Sequence, residues 1–318
     1  VSGENGELVI HCGLIIKLLI FLAVLCCLAG TSPALAESGP FNYRKIKIAD
    51  NAAPVMNIAG SRATHEVSKQ ETLLDIARDY GLGFNDMELL YPDMDPWLPP
   101  EGKKIDIPLI WALPPTRLEA VVINIPEMRL YRFFPENKLV KTYPVGIAKQ
   151  GMNTPITDTK VAEHIKNPNW TDPNDSRNET DNSVVPPGQS NPLGKRWIGL
   201  GVDHIGIHGT NFAWSIGRRV SQGCIRMYPE DVKNFFNEAL MGTRVEIIYE
   251  PVKVGIRDNE IFVEVHPDIN DVFPDLYERA ISLLEETALL ADVDKEKLRE
   301  AVVEQNGMPR KVGIIAKP

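Results

Sequence analysis

Between Leu118 and Tyr249 short apolar runs alternate with turn residues, and that pattern limits the fold more than any other feature of the chain. "EAVVINIPEMRLYRFFPENKLVKTYPVGIA" (119–148) carries three such runs, with "PENK" (135–138) as a hairpin turn. "RWIGLGV" (196–202), "HIGIHGT" (204–210) and "TRVEIIYE" (243–250) add further strands. One amphipathic helix, "YPEDVKNFFNEAL" (228–240), has Pro229 near its start, where the missing N–H costs nothing. The expected fold is mainly β: a β-sandwich-like domain over 118–250 with one packed helix. Twenty-five prolines point the same way, towards extended segments and long loops and away from a helical bundle. The polar stretch "NPNWTDPNDSRNETDNSVVPPGQSNPLG" (167–194) is a loop of a length that is usually functional or disordered.

The flanks read differently. Lys17 followed by "LLIFLAVLCCLAG" (18–30) and by "ALA" (34–36) gives residues 1–36 the pattern of a secretory signal peptide. An uncleaved anchor is the other reading, although the run is short for a membrane span. Residues 37–61 lack clear periodicity and read as a linker. Residues 62–110 read as a small βααβ domain: a strand around His65–Val67, a helix from near Gln70 with Leu73, Leu74, Ile76 and Ala77 on its apolar side, a second short helix in "DMELLYP", and a closing strand "KKIDIP". Residues 251–318 read as an extension to the β core, with a hairpin turning at "RDNE" and then two amphipathic helices. A length of 318 residues with 43% hydrophobic and 24% charged content fits two modest domains, or one with extensions. A net charge of −9 argues against nucleic acid, whose phosphates need a basic face.

Export changes what the cysteines mean. Cys12, Cys26 and Cys27 would leave with the signal, and the mature chain would keep Cys224 alone. A lone thiol in an oxidising compartment has no intramolecular partner, so its retention suggests chemistry. The alternative is a buried, inert cysteine packed as a small hydrophobe. His208 lies sixteen residues upstream at the end of a strand, a spacing natural for two adjacent strands joined by an irregular loop. An imidazole in reach makes a thiolate. Gly223 permits close backbone approach, and the N–H groups of Gly223 and Cys224 are the candidate oxyanion donors. The carbonyl of Gly209 is the simplest partner for the ring's Nδ1 proton. Arg226, two residues past the thiol, shares its side on extended chain and suits a substrate carboxylate, or else serves as a solvated charge or structural tie. His164, Asp203 and His204 do not give Cys224 the spacing of a common zinc site. His204, four residues before His208, reads as sharing its face of the strand. His65 and His266 read as ordinary surface or strand positions.

"IHGT" (207–210) and "SQGCIRM" (221–227) resemble the signature of the YkuD/ErfK family of L,D-transpeptidases. "YPVGIAKQGMNTP" (143–155), Pro168–Trp170 and "VVPPGQSNPLG" (184–194) follow in family order. The βααβ block resembles a LysM module, with "KQETL" (69–73) where Gly-Asp-Thr-Leu is usual. These resemblances imply a peptidoglycan enzyme of the periplasm or cell envelope that needs neither metal nor cofactor. Cys224 would attack the amide between diaminopimelate and D-alanine in a stem peptide, with His208 moving protons, Gly209 orienting it, and Ser221 and Arg226 binding substrate. The thioester would pass to an amine of another stem or of an outer-membrane lipoprotein. The LysM-like block would bind glycan. Two departures stand out: Gln222 replaces a frequent histidine, and "NTPIT" (153–157) replaces the commoner Thr-Pro-Thr-Gly. Hydrolysis of the thioester by water, or a non-catalytic wall-binding role, are the competing readings.

Overall fold

A computed structural model describes residues 39–171 and 184–316; the expected signal peptide and the middle of the 167–194 loop lie outside the described residues. The described chain is mainly β with five helices. Nine strands form one mixed sheet in the order Phe41–Asn42, Leu139–Pro144, Arg129–Phe134, Val121–Asn124, Arg244–Ile248, Thr157–Lys166, Arg196–Leu200, Gly206–His208 and Ile225–Arg226. The long strand Thr157–Lys166 belongs to both halves. Its first four residues pair with Arg244–Ile248 and the remainder with Arg196–Leu200, across a register shift between Val161 and Glu163. Such an irregularity bends a strand and sharpens its twist. Here it lets the sheet curl around a core that includes Val121, Ile123, Ile198, Ile207, Ile225 and Val245.

Three helices precede residue 240: α1 (Leu73–Asp79), α2 (Phe84–Leu90) and α3 (Pro229–Glu238). In α3, Pro229 occupies the first turn, Glu230 and Asp231 face the positive end of the helix dipole, and Val232, Phe235 and Phe236 fill the curl of the sheet. Burying each phenylalanine contributes roughly 2–3 kcal/mol. Helices α1 and α2 lie between the paired strands Ala63–Glu66 and Lys104–Ile107 over a core of Val67, Leu73, Ile76, Met87, Ile105 and Ile107. Helix α1 starts at Leu73, three residues later than expected, because Thr72 and Asp75 form a capping box. Gln70 sits just outside it at φ +65, a conformation that glycine adopts without strain.

The remaining chain corrects two expectations. Residues 37–61 are not a linker: Val55–Gly60 is a strand of a second, six-stranded sheet. Residues 251–318 are not a mere appendage to the β core but supply three of the six strands of that same sheet, Val252–Arg257, Glu260–Val265 and Arg310–Ile314. Val55–Gly60 runs parallel to Val252–Arg257, with Ile110–Ala112 on its other side. The expected hairpin turns at Asp258 and Asn259, both at positive φ, which suits a tight two-residue turn. Helices α4 (Leu276–Glu286) and α5 (Lys295–Glu304) cover the sheet with Ala280, Leu284, Leu298 and Ala301.

A buried cluster of charge sits beside this sheet. Lys253 Nζ reaches Glu127 Oε2 at 2.5 Å and Glu264 Oε1 at 2.7 Å, and His266 Nε2 meets the same Glu264 oxygen at 2.7 Å. Tyr131 donates its hydroxyl to Glu127 at 2.9 Å. His266 is therefore no ordinary surface or strand position; it is buried in an ionic network. Among the described residues no helix is long and apolar enough to cross a membrane.

Candidate active site

The strand Gly206–His208 is central to the site. It pairs antiparallel with Arg196–Leu200, which sets Trp197 opposite His208, and parallel with Ile225–Arg226, which sets Arg226 on its other side. Gly206 cannot carry a side chain here, because the Trp197 indole lies 2.6 Å from where its Cβ would stand. The indole stacks on the His208 ring, with centroids 5.9 Å apart, and is held by an N–H bond to Glu163 at 2.7 Å. His208 is only 4% exposed. Its Nδ1 donates to the Gly209 carbonyl at 2.6 Å, as expected, which leaves Nε2 with the lone pair. Burial lowers the ring's pKa to about 4; the Gly209 carbonyl opposes that shift and the Arg226 charge adds to it. The imidazole is thus neutral at pH 7 and free to accept a proton.

Cys224 lies in the turn that leads into Ile225–Arg226 and is half-buried. Its thiol donates to the His204 carbonyl at 3.3 Å, and it makes no hydrogen bond to the His208 ring. Burial pushes the thiol pKa up, against the opposing pull of the Gly206 backbone and Arg226. The resting pair is therefore neutral thiol and neutral imidazole on neighbouring parallel segments. His204 does not share a strand face with His208: it sits in the preceding turn at φ +59, and its carbonyl is the part that touches the thiol.

Within the turn, Ser221 is bonded to its neighbours. Its buried hydroxyl donates to the Cys224 carbonyl at 2.6 Å and accepts the Gly223 N–H at 3.2 Å. That second bond occupies one of the two expected oxyanion donors. No hydrogen bond of the Cys224 N–H is seen among the described residues. Gly223 adopts φ +129, and the carbonyl of Asn153 and a methyl of Ile205 crowd the place of its missing Cβ. The Gly223 carbonyl accepts from the buried Thr154 hydroxyl at 2.9 Å.

Arg226 is fixed through its backbone, exchanging two 2.8 Å bonds with Gly146. Its side chain is in the opposite condition. The buried Nε has no partner, and the guanidinium makes no ion pair among the described residues. Burial lowers its pKa, with the nearby Cys224 opposing. A desolvated cation without a counter-charge is costly, and a carboxylate bound in front of it would remove that cost.

The candidate zinc residues are not gathered. His164 stacks on Phe236 and bonds its backbone carbonyl at 2.7 Å. The group of close ligand-type side chains among the described residues is Glu127, Glu264 and His266, which already surrounds the Lys253 ammonium. His65 is tied to Glu71 at 2.8 Å within the βααβ block.

The YkuD family model, the L,D-transpeptidase catalytic domain, matches residues 119–247. The probable L,D-transpeptidase YcfS of Escherichia coli K12 is 34% identical over 269 residues, covering 79% of this chain and 84% of its own length. This chain belongs to the YkuD family of L,D-transpeptidases. The probable L,D-transpeptidase ErfK/SrfK of the same organism is 36% identical over 260 residues, with 77% and 82% covered. The probable L,D-transpeptidase YbiS is 35% identical over 247 residues, with 73% and 80% covered.

Several residues of this YkuD-family site escaped sequence reasoning. Trp197, which walls in the base, sat unremarked in an apolar strand. Thr154, which holds Gly223, lies in the "NTPIT" segment that stood out only as a departure. Asn191 is wholly buried: its amide donates to the carbonyls of Pro168, Val185 and Pro186, and its oxygen accepts the Leu193 N–H. A polar side chain amid the prolines of a long loop was the available signal, since such residues organise loops through backbone bonds.

Proposed function

We propose that the chain is an exported, cysteine-dependent peptidoglycan L,D-transpeptidase. The observation that carries this reading is a buried, neutral His208 whose Nδ1 is fixed by the Gly209 carbonyl, on a strand paired in parallel with the segment that bears Cys224. The thiol leaves the His204 carbonyl and gives its proton to His208 Nε2 as the sulfur bonds to the donor carbonyl carbon. Charge on the carbonyl oxygen meets the Cys224 N–H, a contribution of roughly 3 kcal/mol for one donor of this kind. The amide C–N bond breaks, and D-alanine departs with the proton from Nε2. The thioester is then attacked by an acceptor amine, whose proton goes to the same nitrogen, and the sulfur leaves to be reprotonated. Arg226 holds a substrate carboxylate. The acceptor is an amine of another stem peptide or of an outer-membrane lipoprotein, and the LysM-like βααβ block holds the glycan.

The test is direct. A purified tetrapeptide donor with an amine acceptor should give a thioester of defined mass on Cys224, followed by a new diaminopimelate–diaminopimelate link. A carbapenem should label the protein stoichiometrically, and Cys224→Ala should abolish both reactions. Release of free tripeptide alone would make water the acceptor and the enzyme a carboxypeptidase. A wild-type thiol that never acylates would leave only a wall-binding protein.

A further inference from the structure

Three exposed aromatic rings join the βααβ block to the rim of the active site. Trp97 comes from the loop after α2, and its ring centroid lies 5.2 Å from that of Trp214, edge to face. Trp214 lies 5.9 Å from Phe212, again edge to face. The three are 47%, 51% and 53% exposed, so together they form a contiguous, half-exposed apolar surface. It is also held rigid from below. Asp95 caps the N–H of Trp97 at 2.8 Å, and the Pro96 carbonyl receives the Leu73 N–H at 2.9 Å, which anchors the loop to the start of α1. On the other side, Thr210 accepts the Phe212 N–H at 2.9 Å, and the buried Ser215 donates to the Phe212 carbonyl at 2.6 Å. Phe212 therefore stands four residues past the catalytic base on a loop fixed to it.

From this arrangement we infer that Trp97, Trp214 and Phe212 form a glycan-stacking platform that presents the sugar backbone of the donor strand while its stem enters the thiol site. The inference rests on the peptidoglycan reading above and adds where the glycan lies. The chemistry selects the occupant. Pyranose rings offer apolar C–H faces that suit the negative face of an aromatic ring, and rigid aromatics bind them with little loss of side-chain freedom. Neither 91–98 nor 210–216 carries a lysine or arginine, while Asp93 and Asp95 lie in the first, so an anionic lipid surface is disfavoured. Reach is also consistent. The reacting carbonyl lies three residues from the sugar, about 10 Å of extended chain, so the glycan must pass close to the rim of the site.

The experiment is calorimetric titration of the whole mature protein with a tetramer of N-acetylglucosamine, a peptide-free probe, with tryptophan fluorescence recorded in parallel. Saturable binding is expected. Trp214→Ala and Trp97→Ala should each weaken it about ten-fold, and Trp214→Phe should recover most of the loss. Unchanged thermal melting shows that these variants fold. Absence of binding by the wild type, or alanine variants that bind like it, overturns the platform. So does loss by those variants of binding to phosphatidylethanolamine–phosphatidylglycerol vesicles, or of self-association, in place of glycan binding. Wild-type acylation by a soluble tetrapeptide, measured alongside, separates failure of the platform from failure of the transpeptidase reading.

Discussion

Two buried polar clusters in this molecule are built on opposite terms. Around Lys253 the charges are answered from within: two glutamates flank the ammonium, and a tyrosine and a histidine bond to them, although the buried Nδ1 of His266 has no hydrogen-bond partner among the described residues. Burial alone would lower the pKa of Lys253, but Glu127 and Glu264 outweigh it and the net shift is upward. Around Cys224 the same burial goes unanswered. His208 is driven neutral, the thiol is kept protonated, and the Arg226 guanidinium has no ion pair among the described residues. A cluster that pairs its buried cation with its own carboxylates fastens two parts of a fold together. A cluster left incomplete is ready for a ligand that completes it. Polarity and burial do not separate the two; the presence of internal counter-charges does.

Mutation should separate them sharply. His208→Gln should lower the rate of Cys224 acylation by roughly 10²–10⁴-fold while leaving the melting temperature near that of the wild type, as measured by adduct mass and thermal melts. A loss below ten-fold would show that another group takes the thiol proton. Lys253→Ala should act the other way, costing about 3–5 kcal/mol in denaturant unfolding because two carboxylates lose their buried cation. Replacing Lys253, Glu127 and Glu264 together by apolar residues of similar size should cost far less. If the single and triple replacements cost the same, the ammonium is not balancing those charges.

The acid limb provides a finer comparison. With a folded pKa of about 4, His208 remains a competent base well below the ordinary histidine value of 6.5, so acylation by a carbapenem should fall only as pH drops through about 4. Stability carries the matching sign. The unfolded chain binds this proton more readily than the folded one, so stability is intact above 6.5 and declines as pH falls from 6.5 towards 4. His208→Gln should flatten that decline. An acylation limb near 6.5 would show that burial does not govern the ring. The smallest effect is expected at Gln70→Gly, which relieves a left-handed backbone outside α1 and should stabilise the protein by up to about 1 kcal/mol in a thermal melt. Destabilisation would mean that the Gln70 side chain contributes more than its backbone costs.

Much of the site was legible because its signals are local. The apolar strand ending at His208, the glycine after it and the turn before Cys224 stand in short contiguous strings. The Gly209 carbonyl follows from the neighbouring residue alone. The direction of the Ser221 hydroxyl was not legible, because sequence gives residue type but not direction. Its fold-back to the Gly223 N–H and the Cys224 carbonyl depends on a positive φ that the string permits without requiring. Residues 37–61 read as a linker for a related reason. Val55–Gly60 is buried on both faces between strands from distant parts of the chain, so it shows no alternation to betray it.

The amino-acid order therefore settled the strand pattern of the central domain, the helix placed by Pro229, and the strand and turn that carry His208 and Cys224, because each depends on a few neighbouring residues. Only the tertiary structure decided that Val55–Gly60 and Val252–Arg257 join one sheet, that Lys253 and His266 are buried against the same glutamate, and that the Arg226 guanidinium has no ion pair among the described residues. It alone set Trp97 against Trp214. All of these depend on which distant segments meet, and pairing between distant segments is fixed by the packing of the whole chain.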